Sequence, residues 1–205
     1  MLEGITAGFI LSLTLFPGTV WLAKVGMHGS LRQVCAVGWG FAFSQWLWLM
    51  FAIPGLMMMS RHLEFVRAGI HAFAAFVLVY MAWKMFRSSR VATLAIPEPL
   101  PPTGRLMRNA FTRALAMPMR LPAAMAILLA TGVFVNHKPS WDVLPPILLG
   151  ATIGIVWWWG QFTFLSALFA KKVPEWITLK SLNKIRPFCA VLYLFLAGIS
   201  LLLIG

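Results

Sequence analysis

Acidic residues are scarce in this chain of 205 residues, which has five Asp and Glu against 17 Lys and Arg and a formal net charge of +12. All five acids, at positions 3, 64, 98, 142 and 175, lie in loops or at the ends of apolar runs. The chain therefore offers no intramembrane carboxylate for a proton relay or for holding an ammonium group. The positive charge does not indicate nucleic-acid binding, because the basic residues alternate with apolar runs instead of covering one solvated face.

Cysteine is equally rare, and motifs of enzyme chemistry are missing. Cys35 and Cys189 lie in apolar surroundings without a CxxC pair, which is typical of packing residues. Neither adjoins one of the proline breaks described below, so a thiol role is not expected. There is no metal-ligand spacing, no Ser-His-Asp set and no phosphate loop. We expect no enzyme activity, no metal and no cofactor.

Apolar residues dominate instead: 60% of the chain is hydrophobic, and the mean hydropathy is +0.85. A helix needs roughly 20 apolar residues to span a bilayer core. Six runs approach or exceed this length, at residues 5–25, 34–59, 68–86, 114–135, 144–170 and 187–205. The sequence therefore predicts one all-α, multi-pass membrane domain with six transmembrane helices.

The halves of the chain are predicted to be two inverted three-helix repeats. A proline-rich, basic segment at 87–113 is predicted to be a cytoplasmic linker between repeat one, 1–86, and repeat two, 114–205. Gly38 precedes Gln45 by seven residues, as Gly154 precedes Gln161. Three spans per half is an odd number, so the second half would be inverted, as in many secondary transporters.

Basic residues set the predicted orientation. Thirteen of the 17 lie in or beside the odd-numbered loops, three lie in the even-numbered loops, and Arg120 falls inside a span. The positive-inside rule then places the odd loops in the cytoplasm and both termini outside.

Two helix breaks form the predicted site. Thr14, Pro17, Gly18 and Thr19 interrupt the first span, where the proline cannot donate a backbone hydrogen bond. Such a break is tolerated where it is buried in protein or lines a wet cavity, although a simple kink is the alternative. Pro118 predicts a matching break in the fourth span.

The other predicted site residues are polar groups within the spans. Arg120 either faces a substrate cavity or snorkels to the headgroups. Gln45 and Gln161 either contact substrate or join helices by hydrogen bonds. His71 is either a proton-linked group or a hydrogen-bonded packing residue.

Several of these features resemble the lysine-exporter (LysE/RhtB-type) family of small bacterial amino-acid exporters. The similarity rests on the Pro-Gly turn of the first span and on four further short features: His28-Gly29, Trp83-Lys84, the proline near the start of the fourth span, and Ser181-Leu182-Asn183-Lys184. The chain departs from the family pattern in three places. Thr19 follows Pro17-Gly18 instead of a second proline, Met117-Pro118-Met119 replaces an Asn-Pro-Lys-like triplet, and Gln45 replaces a carboxylate.

The resemblance implies a secondary transporter of the bacterial inner membrane that exports an amino acid or small polar metabolite by alternating access. The first alternative is a lipid- or anion-handling, flippase-like protein, which the basic loops and Arg120 favour. The second is a non-transporting membrane subunit. The predicted partners are a small-molecule substrate and membrane lipids, with self-association left open.

Overall fold

The computed structural model describes residues 1–60, 64–96, 99–117, 119–133 and 141–203. In these ranges every regular element is a helix, with a short 3-10 helix at Trp141–Val143. The α-helices are α1 (Leu2–Leu13), α2 (Phe16–His28), α3 (Leu31–Ser60), α4 (Glu64–Arg87), α5 (Thr103–Leu115), α6 (Arg120–Ala130), α7 (Leu144–Phe169) and α8 (Glu175–Leu202).

Four of these helices, α3, α4, α7 and α8, are long and apolar enough to cross a membrane. The pairs α1–α2 and α5–α6 are bent by 64° and 72° and raise the number to six if each pair is one span. The prediction of an all-α fold is confirmed for the described residues, with four to six helices that could span a membrane.

Two predicted spans begin too late in the sequence. The bent pair α5–α6, which corresponds to the predicted fourth span, starts at Thr103 and not at residue 114. The last helix starts at Glu175 and not at residue 187. Both early turns are rich in Lys and Arg, which the charge pattern assigned to loops. The segment 87–113 that was predicted to be a linker therefore carries most of α5.

The first break lies three residues before Pro17. Helix α1 ends at Leu13. If the helix continued, the ring of Pro17 would clash with the carbonyl of Leu13, four residues earlier. Pro17 itself stands in the first turn of α2, where a missing N–H costs little.

Glycines allow helices of the two halves to touch. Gly4 and Gly8 of α1 and Gly154 of α7 meet across this pair: a Cβ added at any of them would collide with the backbone of the other helix. A Cβ at Gly40 of α3 would likewise lie 2.6 Å from the carbonyl oxygen of Met107 in α5. Small residues at such spacing are how membrane helices approach closely. The first helix of each half thus packs on the first long helix of the other half.

Candidate functional site

The end of α1 exposes carbonyls that the next helical turn would normally bind. The backbone N–H groups of Thr14 and Leu15 donate to Ile10 and Ser12 at 3.0 and 3.1 Å. The hydroxyl of Thr14 donates to the carbonyl of Leu11 at 3.0 Å. Cys189 of α8 donates from Sγ to the carbonyl of Leu13 at 3.6 Å. Every carbonyl of the last turn therefore has a partner.

Arg120 ties the second break to the first. It is the first residue of α6, follows Met119 in the left-handed conformation (φ 70°), and is only 2% exposed. Its Nη2 donates to the carbonyl oxygen of Leu11 at 2.8 Å and to Oε1 of Gln45 at 3.1 Å. The guanidinium thus sits at the negative, C-terminal end of α1, which favours a cation. Arg120 does not snorkel.

The surroundings of Arg120 are buried and only partly satisfied. Gln45 and Tyr193 are fully buried, and the Tyr193 hydroxyl lies beside both Arg120 and Thr14. Among the described residues, Nε of Arg120, Nε2 of Gln45 and the hydroxyl of Tyr193 lack a partner in hydrogen-bond geometry. The hydrogen-bond partners of Arg120 are neutral. Unpaired buried polar groups next to a charge are costly unless a ligand or water satisfies them.

A cavity of about 440 Å³ opens beside this cluster and touches both breaks. Thr14 and Pro17 line it from the first break, and Met117 and Arg120 from the second. Its size falls in the range of small-molecule sites. The structure therefore brings the two breaks together around one cavity.

The cavity has a second cation. Lys84, in the last turn of α4, lines it with Ser88 and Ser89, and all three are exposed, whereas Arg120 lies deep. The described lining contains no acidic side chain. Two cations and three hydroxyls, with that of Thr14, give a cavity suited to an anion.

A short segment after α4 forms part of the cavity wall and is held by α8. The side chain of Asn183 donates to the carbonyl of Val91 at 3.1 Å and accepts from its N–H at 3.0 Å. Glu175 accepts from the N–H of Leu94 at 2.7 Å, and Arg186 donates to the carbonyl of Ser88. Val91 also lines the cavity. These contacts fix the wall that carries Ser88.

The other predicted residues of the first break support the backbone. Gly18 is buried, and a Cβ there would lie 3.0 Å from the ring of Trp159, which stacks on Phe41 at 5.1 Å between ring centroids. The hydroxyl of Thr19 donates to the carbonyl of Leu15 at 3.3 Å and does not line the cavity. Both residues shape the break without facing its cavity.

Three predicted site residues are not brought to the cavity. Gln161 is exposed on α7, away from the cluster that holds Gln45. His71 is buried where α4 meets α8, with Nδ1 3.4 Å from the hydroxyl of Ser200. It lies thirteen residues before Lys84, about 20 Å along the helix. Pro118 lies outside the described residues, although the break around it is present.

The sequence missed three residues of the site. Lys84, which lines the cavity, and Tyr193, which lies beside Arg120, are not among the predicted site residues. Cys189 does not adjoin a proline break in the sequence, but the fold brings its thiol to the carbonyl of Leu13 at the end of α1. A polar residue inside an apolar run was the available signal for Tyr193.

Comparison with known proteins does not assign the chain to a family. No protein-family model, no curated protein and no solved structure matches it. The resemblance to lysine exporters therefore stays a prediction from short motifs.

Proposed function

We propose that the chain is a secondary transporter that carries a small polar metabolite by its carboxylate or phosphate group. The observation that carries the proposal is the buried Arg120, which joins the two helix breaks and lines their common cavity without an acidic partner among the described residues. A guanidinium binds such anions by paired N–H donors, a geometry that suits a specific site. Lys84 at the mouth would draw the anion inward.

Amino acids fit this proposal through their carboxylate. The carbonyls in the last turn of α1 are not placed to select the ammonium group, because each already accepts a hydrogen bond and none of residues 10–13 lines the cavity. The described lining of the cavity also offers no carboxylate for an ammonium group. We therefore propose that the anionic end of the substrate dominates recognition.

Alternating access is supported by the arrangement of helices. Each half consists of a bent pair followed by two long helices, and α1 packs on α7 as α5 packs on α3. This reciprocal packing between the halves is expected if they are inverted repeats that rock against each other around a central site. Export from a bacterial cytoplasm is the direction that the family resemblance implies.

A lipid- or anion-handling carrier is the second candidate. Much of the cavity wall is apolar, with Val20, Met81, Met85, Val91 and Met117 beside the two cations. Such a wall suits an anion that carries a hydrophobic tail.

Transport by purified protein in proteoliposomes tests the proposal. The substrates are a labelled amino acid, the amine obtained by removing its carboxylate, the acid obtained by removing its ammonium group, and inorganic phosphate, each with and without a pH gradient. A fluorescent lysophosphatidic acid tests the second candidate. Arg120→Gln removes the proposed anion site, and Lys180→Gln is the matched control because Lys180 is exposed and does not line the cavity.

We expect movement of at least one carboxylate or phosphate, no movement of the amine, and loss of transport in Arg120→Gln but not in Lys180→Gln. Movement of the lysolipid alone would favour the second candidate. Transport of the amine would contradict the anion site. Movement of none of these probes would favour a non-transporting membrane subunit.

A further inference from the structure

A second cavity lies between α3 and α5 and shares no described lining residue with the cavity at the breaks. It has a volume of about 460 Å³. Its wall is aromatic and apolar except for one basic group, and includes Phe43, Trp46, Leu47, Met107, Arg108 and Phe111. We call it the α3–α5 groove.

The groove faces outward from the helix bundle. Phe43 is 48% exposed, Trp46 39% and Met107 37%. In a membrane protein, large apolar side chains with this exposure contact acyl chains of the surrounding lipid. The apolar part of the groove is therefore suited to a hydrocarbon chain.

Arg108 lies in the second turn of α5, at the end of that helix that adjoins the beginning of α3. The side chain of Gln33 donates to the carbonyl of Pro101 at 3.2 Å, which places the beginning of α5 beside the beginning of α3. Arg108 is five residues from Thr103, about 8 Å along the helix axis. With α3 as one span, its beginning lies at a membrane surface, and we infer that the long side chain of Arg108 extends from α5 to the headgroups there.

We propose that the α3–α5 groove binds one anionic phospholipid, with an acyl chain against Trp46 and the headgroup phosphate on Arg108. Arg105, one turn earlier and exposed, adds positive charge at the same end, whereas the guanidinium of Arg113 lies 4.5 Å from the centre of the Trp21 ring. The described lining of the groove contains no acidic residue that would neutralise Arg108. A basic pocket between membrane helices is complementary to such a headgroup.

A neighbouring groove provides the comparison. It lies between α3 and α7, has a volume of about 230 Å³, and includes Trp39, which is 52% exposed. Its described lining contains no basic side chain. It should accept acyl chains without a preference for the headgroup.

Quenching of tryptophan fluorescence by lipids with brominated acyl chains tests the proposal. The full chain is placed in phosphatidylcholine vesicles that contain equal fractions of brominated phosphatidylglycerol or brominated phosphatidylcholine. The difference between the unchanged protein and Trp46→Phe isolates the signal of Trp46, and Trp39→Phe isolates that of Trp39. Arg108→Gln removes the proposed phosphate contact, and Arg90→Gln is the control with the same change in charge.

We expect brominated phosphatidylglycerol to compete for the site of Trp46 about fivefold better than brominated phosphatidylcholine, a typical effect of one basic residue near an anionic surface. Trp39 should show no preference. Arg108→Gln should abolish the preference at Trp46, and Arg90→Gln should keep it. Equal quenching of Trp46 by both lipids would overturn the proposal. This comparison does not depend on the folding of the Arg108→Gln variant, because it is made with Arg108 in place. A preference that survives Arg108→Gln, or that Arg90→Gln removes equally, would also overturn it.

Discussion

Replacing Arg120 by Met separates binding from stability. The two hydrogen bonds from Nη2, at 2.8 and 3.1 Å, are charge-assisted and each contributes about 1.5–3 kcal/mol. Burial of one charge among neutral partners costs several kcal/mol. Met, with a side chain of comparable length, removes both the two hydrogen bonds and the cost of the buried charge. The carbonyl of Leu11 keeps the hydrogen bond from the hydroxyl of Thr14. Only Oε1 of Gln45 loses its partner.

These terms nearly cancel, so the free energy of unfolding of Arg120→Met should lie within about 2 kcal/mol of the unchanged protein. The melting temperature of a chain of this length moves by about 2–4 °C per kcal/mol, so it should change by less than about 8 °C. An anion present at a hundred times its dissociation constant stabilises the unchanged protein by about 2.7 kcal/mol. That stabilisation should be absent in Arg120→Met.

Thermal unfolding in nanodiscs, with and without the anion identified by transport, measures both quantities. Arg120→Lys is the companion variant, because it keeps the charge but not the paired donors, and should lose most of the ligand effect. Retention of the full ligand effect in Arg120→Met would refute the anion site. A loss of more than about 4 kcal/mol without ligand would show that Arg120 serves the fold instead.

Three further predictions concern packing, the cavity wall and topology. Gly8→Leu should lower stability by at least about 1–3 kcal/mol in thermal unfolding, since its side chain meets the backbone of α7. Gly198→Leu, which has open space around it, should not, and equal losses would contradict close packing as the cause. Asn183→Leu should speed hydrogen exchange at the amide of Val91, whose bond it removes; unchanged protection there would show that other contacts hold the wall. Reporters fused to the C-terminus and inserted within 99–102 should lie on opposite sides of the membrane, the latter in the cytoplasm; a cytoplasmic C-terminus would overturn the predicted orientation.

The parts of the site that could be predicted were local conflicts in the sequence. A proline and glycine within an apolar run conflict with a continuous helix, and a charge within such a run conflicts with lipid. Pro17 and Arg120 carried these signals, and both line the cavity. A conflict of this kind indicates a site because something in the fold must resolve it.

The partners that resolve the conflicts could not be predicted. Cys189 is 176 residues from Leu13 in the sequence, and a cysteine in an apolar helix carries no sign of which carbonyl it will meet. Gln45 and Gln161 occupy similar places in the repeat pattern, yet one is buried and the other exposed. Position within a repeat does not determine which face of a helix a neighbour covers.

The bond between Arg120 and Leu11 gives the proposed transporter a physical link between its halves. Arg120 belongs to the second bent pair and Leu11 to the first, and the same Nη2 also holds Gln45. An anion that takes both terminal nitrogens of the guanidinium must compete with these acceptors. The carbonyl of Leu11 is not left unpaired when it releases Arg120, because Thr14 still donates to it. Binding of the anion would therefore weaken the contact between the two breaks and make movement of one half against the other easier, which is the coupling that alternating access requires.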